Sequence, residues 1–260
     1  MKFLICLLSL CIPFSSAPSH LNGRFIESGS NALRWYVKRN ADHQIPALPS
    51  EFSNLSDYDG YYADLRHPDE KVLFFTFDAG YENGNVAKIL NTLNKKEVPG
   101  AFFVLSHFVK KETDLVNRMI DEGHLVCNHT AHHQNMAYAD AEKMKDELTT
   151  LERVFKEKTG HEIAKFYRPP EGSFSWENLA VAKELGYRTI FWSFAYADWA
   201  NDRQPSKEYA IKKIKENIHP GAVILLHPTS STNAAILPSL IDDLKNEGYR
   251  FGTLYELVEE

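Results

Sequence analysis

The sequence has little cysteine, no block of basic residues and no long apolar run, and each shortage removes a class of protein. Only 3 of its 260 residues are Cys, too few for a small disulfide-stapled scaffold. Its 29 Lys and Arg are outnumbered by 35 Asp and Glu, for a net charge of -6. Without a basic stripe it lacks what counterion-release binding requires, so no nucleic-acid partner is expected. The longest apolar stretch, from Phe3 to Phe14, is about a dozen residues against the roughly 20 of a membrane-spanning helix. With 43% hydrophobic and 25% charged residues the composition is that of a globular chain, which excludes disordered, collagen-like and coiled-coil readings.

What the short apolar run does fit is an export signal. Lys2 precedes it and the small residues Ser15-Ser16-Ala17 follow it, in the charged, apolar and cleavage-site order. Residues 1–17 are therefore expected to be a signal peptide, with an uncleaved N-terminal anchor as the alternative, and the remainder to act outside the cytoplasm. Bulky Ile5 and Leu10 precede Cys6 and Cys11, which disfavours lipidation. Removing the leader leaves Cys127 as the single thiol.

Residues 18–70 are irregular, with Asn, Asp, Ser and Pro scattered among aromatics such as Trp35, Tyr58, Tyr61 and Tyr62. They read as an arm packed on the C-terminal remainder of the chain, with at most one helix, Ala32 to Arg39. Over 71–260 the pattern becomes orderly. Short apolar strands are expected at Val72–Phe77, Ala101–Leu105, Leu125–Cys127, Phe166–Tyr167, Arg188–Trp192, Gly221–Leu226 and Tyr249–Gly252. Between them lie helical stretches at Asn85–Lys96, Thr113–Glu122, Asp140–Lys158, Trp176–Leu185, Ser206–Asn217 and Ala234–Glu247, several closed by Gly or Pro. This alternation predicts an α/β fold with a parallel sheet. Seven strands in such a span favour a distorted (β/α) barrel with an irregular N-terminal arm, an open sheet being the alternative.

In a parallel βα barrel the loops at the C-terminal strand ends converge on one mouth. The residues just beyond the predicted strands are Asp78, then His129-Thr130-Ala131-His132-His133, Arg168, Asp198 and His227. Each has a bland reading alone: Asp78 as a helix cap, Arg168 as a surface ion-pair partner, Asp198 as a turn cap, His227 as an ordinary core histidine. Together they have a chemical logic. A carboxylate can deprotonate water, a cation can polarise a carbonyl, and a histidine can protonate a leaving amine. Arg168 could orient Asp78, and Asp198 could keep His227 protonated. His129 and His133, four apart, can share one ion, with His132 as a competitor.

In order, Thr76-Phe77-Asp78-Ala79-Gly80, His129 to His133, Arg168-Pro169-Pro170-Glu171-Gly172, Asp198-Trp199 and Leu225-Leu226-His227 resemble the five motifs of the polysaccharide deacetylases, the NodB-homology domain of carbohydrate esterase family 4. The resemblance covers about Val72 to Leu257 and assigns 71–260 to that domain. It implies a seven-stranded distorted barrel that removes acetyl groups from N-acetylated polysaccharides. It further implies Asp78 as general base, His227 as general acid, and Arg168 and Asp198 as their respective tethers. His129 and His133 are implied as ligands of a divalent metal, zinc in expectation, and the Glu171 backbone N–H as an oxyanion donor. Ala79 departs from the pattern, because the family usually has there a second Asp as third metal ligand.

Phe77-Asp78-Ala79-Gly80-Tyr81-Glu82-Asn83-Gly84, His132-His133 and the run Phe191 to Trp199 resemble the muramic δ-lactam-forming branch of endospore formers. That branch acts on N-acetylmuramic acid in spore-cortex peptidoglycan, which gives peptidoglycan glycan strands as the expected partner and the cell wall or cortex side of the membrane as the expected location. A monomer is expected. Tyr81, Glu171, Trp176 and Trp199 are the candidate substrate contacts, although Trp192 and Trp199 read more readily as barrel core. The competing readings are a broader glucosamine- or chitin-type deacetylase and a catalytically silent glycan-binding barrel that has lost its metal.

Overall fold

The computed structural model describes residues 32–39 and 42–259; the expected signal peptide, with Cys6 and Cys11, lies outside them. The described part of the arm contains strand β1 (Leu33–Arg34), two single turns of 3-10 helix at Ser50–Phe52 and Leu55–Tyr58, and strand β2 (Gly60–Tyr61). Then come β3 (Val72–Ala79), α1 (Val86–Lys96), β4 (Ala101–Val104), α2 (Ser106–Lys111), α3 (Thr113–Asp121) and β5 (Leu125–Asn128). They are succeeded by α4 (Ala141–Thr159), β6 (Ala164–Tyr167), β7 (Ser173–Phe174), α5 (Trp176–Glu184) and β8 (Arg188–Ile190). The chain ends with α6 (Lys207–Lys215), β9 (Ala222–Leu226), α7 (Ser231–Asn246), β10 (Arg250–Phe251) and α8 (Leu254–Val258).

The seven expected strands, β3 to β6 and β8 to β10, all join one sheet, and β2 from the arm adds an eighth strand parallel to β8. β3 pairs in parallel with β4, β9 and β10, and β4, β5, β6 and β8 pair in succession. The sheet then curls back on itself. Beyond β8 the Ser193 N–H donates to the Val223 carbonyl at 3.0 Å, and the Leu225 N–H to the Phe194 carbonyl at 2.9 Å. These bonds bring the end of β8 against β9 and make the sheet a distorted barrel.

Alternation along β3 separates two cores. Val72 and Phe74 join Phe103, Cys127, Phe166 and Val223 in an inner cluster, to which α8 adds Leu254 and Leu257. Leu73, Phe75, Phe77 and Ala79 face the outer cluster with Leu90 of α1 and Leu240 of α7. A strand buried on both faces has to be apolar throughout, which is why Val72 to Phe77 carries almost no polar residue. Thr76 and Asp78 continue the inner row toward the mouth, where the apolar filling stops.

The helices start where side-chain oxygens can take orphan N–H groups. Asp140, Ser175, Ser206, Ser230 and Thr253 each accept the N–H three residues on, a bond whose removal costs about 1 kcal/mol at such caps. Two features differ from the sequence reading. Residues 32–39 form no helix, because Leu33 and Arg34 pair antiparallel with Phe174 and Ser173 and the Trp35 indole donates to the Trp192 carbonyl at 2.9 Å. The helix α2 was not expected; its Phe108 and Val109 are fully buried.

Candidate active site

The C-terminal strand ends surround a cavity of about 690 Å³, whose walls include Asp78, His129, His133, Trp192 and His227. Asp78 stands near the end of β3, His129 directly after β5 and His227 directly after β9, so parallel strands of matched register deliver all three to one rim.

Asp78 is held from behind. Arg168, at 0% exposure the largest fully buried side chain, donates from one terminal nitrogen to Asp78 Oδ1 at 2.8 Å and from the other to Thr76 Oγ1 at 2.8 Å. Its Nε donates to the Ile190 carbonyl at 3.0 Å, and its plane lies 4.2 Å over the Phe103 ring. All three nitrogens of the fork are thereby engaged. Burial alone would push the Asp78 carboxyl up, but the Arg168 charge, with contributions from His129 and His227, brings it below the ordinary carboxylate value. Asp78 is therefore an oriented carboxylate with its second oxygen facing the cavity side.

The opposite dyad is built the same way with reversed sign. The His227 Nδ1–H donates to Asp198 Oδ1 at 2.7 Å, and the His227 backbone N–H donates to Asp198 Oδ2 at 2.8 Å. Asn233 Nδ2 also donates to Oδ2, at 2.6 Å, so both carboxylate oxygens of this buried Asp are occupied. Burial pulls the His227 imidazolium pKa down, but the hydrogen bond and charge of Asp198 overcome it and leave it above the ordinary histidine value.

His129 and His133 lie with ring centroids 5.0 Å apart. The His129 Nδ1–H donates to the Arg168 carbonyl at 2.9 Å, which leaves a lone pair on Nε2. Burial, the largest influence, pushes this imidazole down to about 4, so it is neutral. Its bare Nε2 faces Asp78 Oδ2 at 3.6 Å. The bare Nε2 and the imidazole beside it are the donors that would hold a divalent cation, and a backbone-anchored Nδ1–H is the usual support of a metal-ligating histidine. Ala79 offers no third donor, since its side chain is buried in the outer apolar cluster. Among the described residues no group of three or more His, Cys, Asp or Glu is arranged to hold a metal. His132 is turned away, with Nδ1 bonded at 2.9 Å to the buried Glu147 of α4.

At the rim, Glu171 lines the cavity in a left-handed conformation (φ 58°), and Gly172 after it is left-handed too (φ 66°). Only glycine fits at 172, because a Cβ there would lie 2.9 Å from the Trp192 ring. Tyr81 and Trp199 also line the cavity, the latter 60% exposed and edge-on to the His227 ring, so Trp199 is not barrel core. Trp192 forms part of the cavity wall. Trp176 is not brought to the cavity. Ser175 caps α5 and turns Trp176 into a second apolar cluster, stacked on Tyr58 at 5.0 Å.

Several contributors escaped the sequence reading. Thr76 was visible as the lone polar residue of an apolar strand, two before Asp78 and hence on its face. Asn233 and Arg34, which also lines the cavity, gave no local signal, since their places depend on α7 and on the arm.

The chain is similar to known proteins of one family. The polysaccharide deacetylase family model matches residues 66–190. The peptidoglycan-N-acetylmuramic acid deacetylase PdaA of Bacillus subtilis is 41% identical over 229 residues, covering 88% of this chain and 86% of that protein. The solved structure of Bacillus subtilis PdaA, a family 4 carbohydrate esterase, aligns with a TM-score of 0.83 at 40% identity, over 87% of this chain and 96% of that one. A family 4 carbohydrate esterase from Bacillus anthracis aligns at 0.73 and 36% identity, over 90% and 99% of the two chains. Sharing its fold and nearly its full described length with these relatives, the chain belongs to the polysaccharide deacetylases.

Proposed function

We infer that the protein is an exported hydrolase that removes the N-acetyl group from N-acetylmuramic acid in the glycan strands of spore-cortex peptidoglycan, so that the freed amine can close on the lactyl carboxyl as a muramic δ-lactam. One observation carries the chemical part of this reading: two oppositely tuned groups, a carboxylate held ionised by Arg168 and an imidazolium favoured by Asp198, face one cavity. Amide hydrolysis needs that combination, a base for water and an acid for the leaving nitrogen. The muramic preference is supported by the likeness to PdaA.

In this reading the Asp78 carboxylate takes a proton from water as its oxygen bonds to the acetyl carbon. The His227 imidazolium then gives its Nε2 proton to the departing amine as the C–N bond breaks, releasing acetate and the free amine. Arg168 keeps Asp78 ionised and aimed, and Asp198 fixes the His227 tautomer. A divalent cation, zinc in our reading, would be held by His129 and His133 and would supply Lewis-acid polarisation of the acetamido carbonyl. In this reading the Glu171 backbone N–H would donate to the developing oxyanion, and Tyr81 and Trp199 would offer faces for sugar rings.

The test is mass spectrometry of digested cortex from a strain lacking the gene. Muramic δ-lactam should be absent and restored by the wild-type gene but not by one encoding Asp78→Asn. Normal δ-lactam content in the deletion strain overturns the reading.

A further inference from the structure

The cavity carries one positive charge that the hydrolytic machinery does not use. Of the described residues lining it, Arg34 alone has a permanently positive side chain. Arg168 lies behind the wall, with its charge committed to Asp78. Arg34 is exposed, and its guanidinium has no hydrogen-bond or ion-pair partner among the described residues. It comes from the arm, outside the segment that the family model matches.

Its backbone is nevertheless fixed. Arg34 pairs with Ser173 in the β1–β7 ribbon, and the next residue, Trp35, donates its N–H to the Gly172 carbonyl at 2.8 Å. The Trp35 ring stacks on Phe191 at 4.4 Å and on Phe52 at 5.0 Å. A rigid stem thus presents an unpaired planar fork at the mouth, two residues along the partner strand from Glu171. Glu171 is the neighbouring free carboxylate of that wall, so an anionic group entering there is repelled from one position and drawn to the other.

We propose that Arg34 is a specificity residue that binds the lactyl carboxylate of the muramic acid ring. The inference rests on the N-acetylmuramic reading above. N-acetylglucosamine and N-acetylmuramic acid share the acetamido group and differ by the 3-O-lactyl ether, whose carboxylate is the one group by which a site can tell them apart through charge. A guanidinium matches that carboxylate with two parallel N–H donors, which an ammonium cannot do. The arm therefore supplies what the barrel motifs lack, a means of choosing between the two alternating sugars of the strand.

The experiment compares acetate release by wild-type, Arg34→Gln and Arg34→Lys proteins on two substrates: de-peptidated glycan strands, and the same strands with their lactyl carboxyls capped as methyl amides. For the wild type, capping should raise KM by about 10- to 100-fold, the value of a charge-assisted hydrogen bond. Arg34→Gln should raise KM on the uncapped strands by a similar factor, with kcat within about twofold, and should then be indifferent to capping. Arg34→Lys should fall between. Unchanged KM in Arg34→Gln, or an equal loss on capped and uncapped strands, overturns the assignment of Arg34 alone. A wild-type enzyme that releases no acetate from muramic residues overturns the substrate reading and this inference with it.

Discussion

Replacing Asp198 by Asn tests the acid half of the mechanism while removing no atom that touches substrate. The carboxylate meets three donors: the His227 Nδ1–H on one oxygen, and the His227 backbone N–H and Asn233 Nδ2 on the other. An amide has one oxygen, which is best kept against the two donors. Its NH2 then confronts His227 Nδ1, and the imidazole can satisfy it only by giving up the Nδ1 proton. The imidazolium is thus opposed by a facing donor, by the lost charge and by burial, which already works against it. The expected result is a kcat lower by about 10²–10⁴, the range for a removed general acid, with KM little changed.

The pH profile supplies the second readout of the same substitution. In the wild type the alkaline limb of kcat/KM should lie above the ordinary histidine value, and in Asp198→Asn it should move below it. Stability changes with the same sign. Because the folded-state pKa of His227 is raised, its ion pair stabilises fully below the unfolded-state value and is lost as pH rises through the folded one. The melting-temperature gap between wild type and variant should therefore narrow from mildly acidic to alkaline pH. A variant that keeps kcat within about twofold, with its alkaline limb unmoved, refutes the reasoning.

The same geometry sets three further outcomes. Arg168→Met strands a largely buried carboxylate and should cost about 3–5 kcal/mol in urea denaturation, with the acid limb of the activity profile moving to higher pH as Asp78 loses its counter-charge. Gly172→Ala forces a Cβ against Trp192 at positive φ and should cost about 1–3 kcal/mol, read by calorimetry. Dialysis against a chelator should lower acetate release and zinc should restore it, except in His129→Ala; activity indifferent to chelation contradicts a metal held by the two imidazoles.

What could be read from the sequence was whatever depends on strand ends and helix caps. Asp78, His129, Arg168 and His227 each stand close behind an apolar run, and a parallel sheet sends such positions to one rim whatever the details of packing. The helices were legible from their apolar spacing and from the Gly or Pro that closes several of them, because both signals are local. The misreadings lie where distant chain decides. The stretch 32–39 has helical spacing, yet ladder bonds to 173–174 and the Trp35 indole bond to Trp192 hold it extended. Trp199 looked like core, since an aromatic beside a strand usually is, but it stands past the barrel edge at 60% exposure. Trp176 looked like a substrate contact, but at the start of α5 it packs into the second apolar cluster against Tyr58. Asn233 belongs to the His227 dyad only because α7 returns over β9.

The central claim is that Asp78 and His227 act as one hydrolytic pair on the acetamido group of muramic acid. Its most direct test is acetate release from de-peptidated glycan strands with added divalent cation, with the products resolved by mass spectrometry, for wild type, Asp78→Asn and His227→Ala. The account predicts loss of acetyl groups from muramic residues and not from glucosamine with the wild type, and rates lower by about 10²–10⁴ with either variant. Unaltered glycan with the wild-type protein would make this a silent glycan-binding barrel and contradict the account, as would either variant working at the wild-type rate.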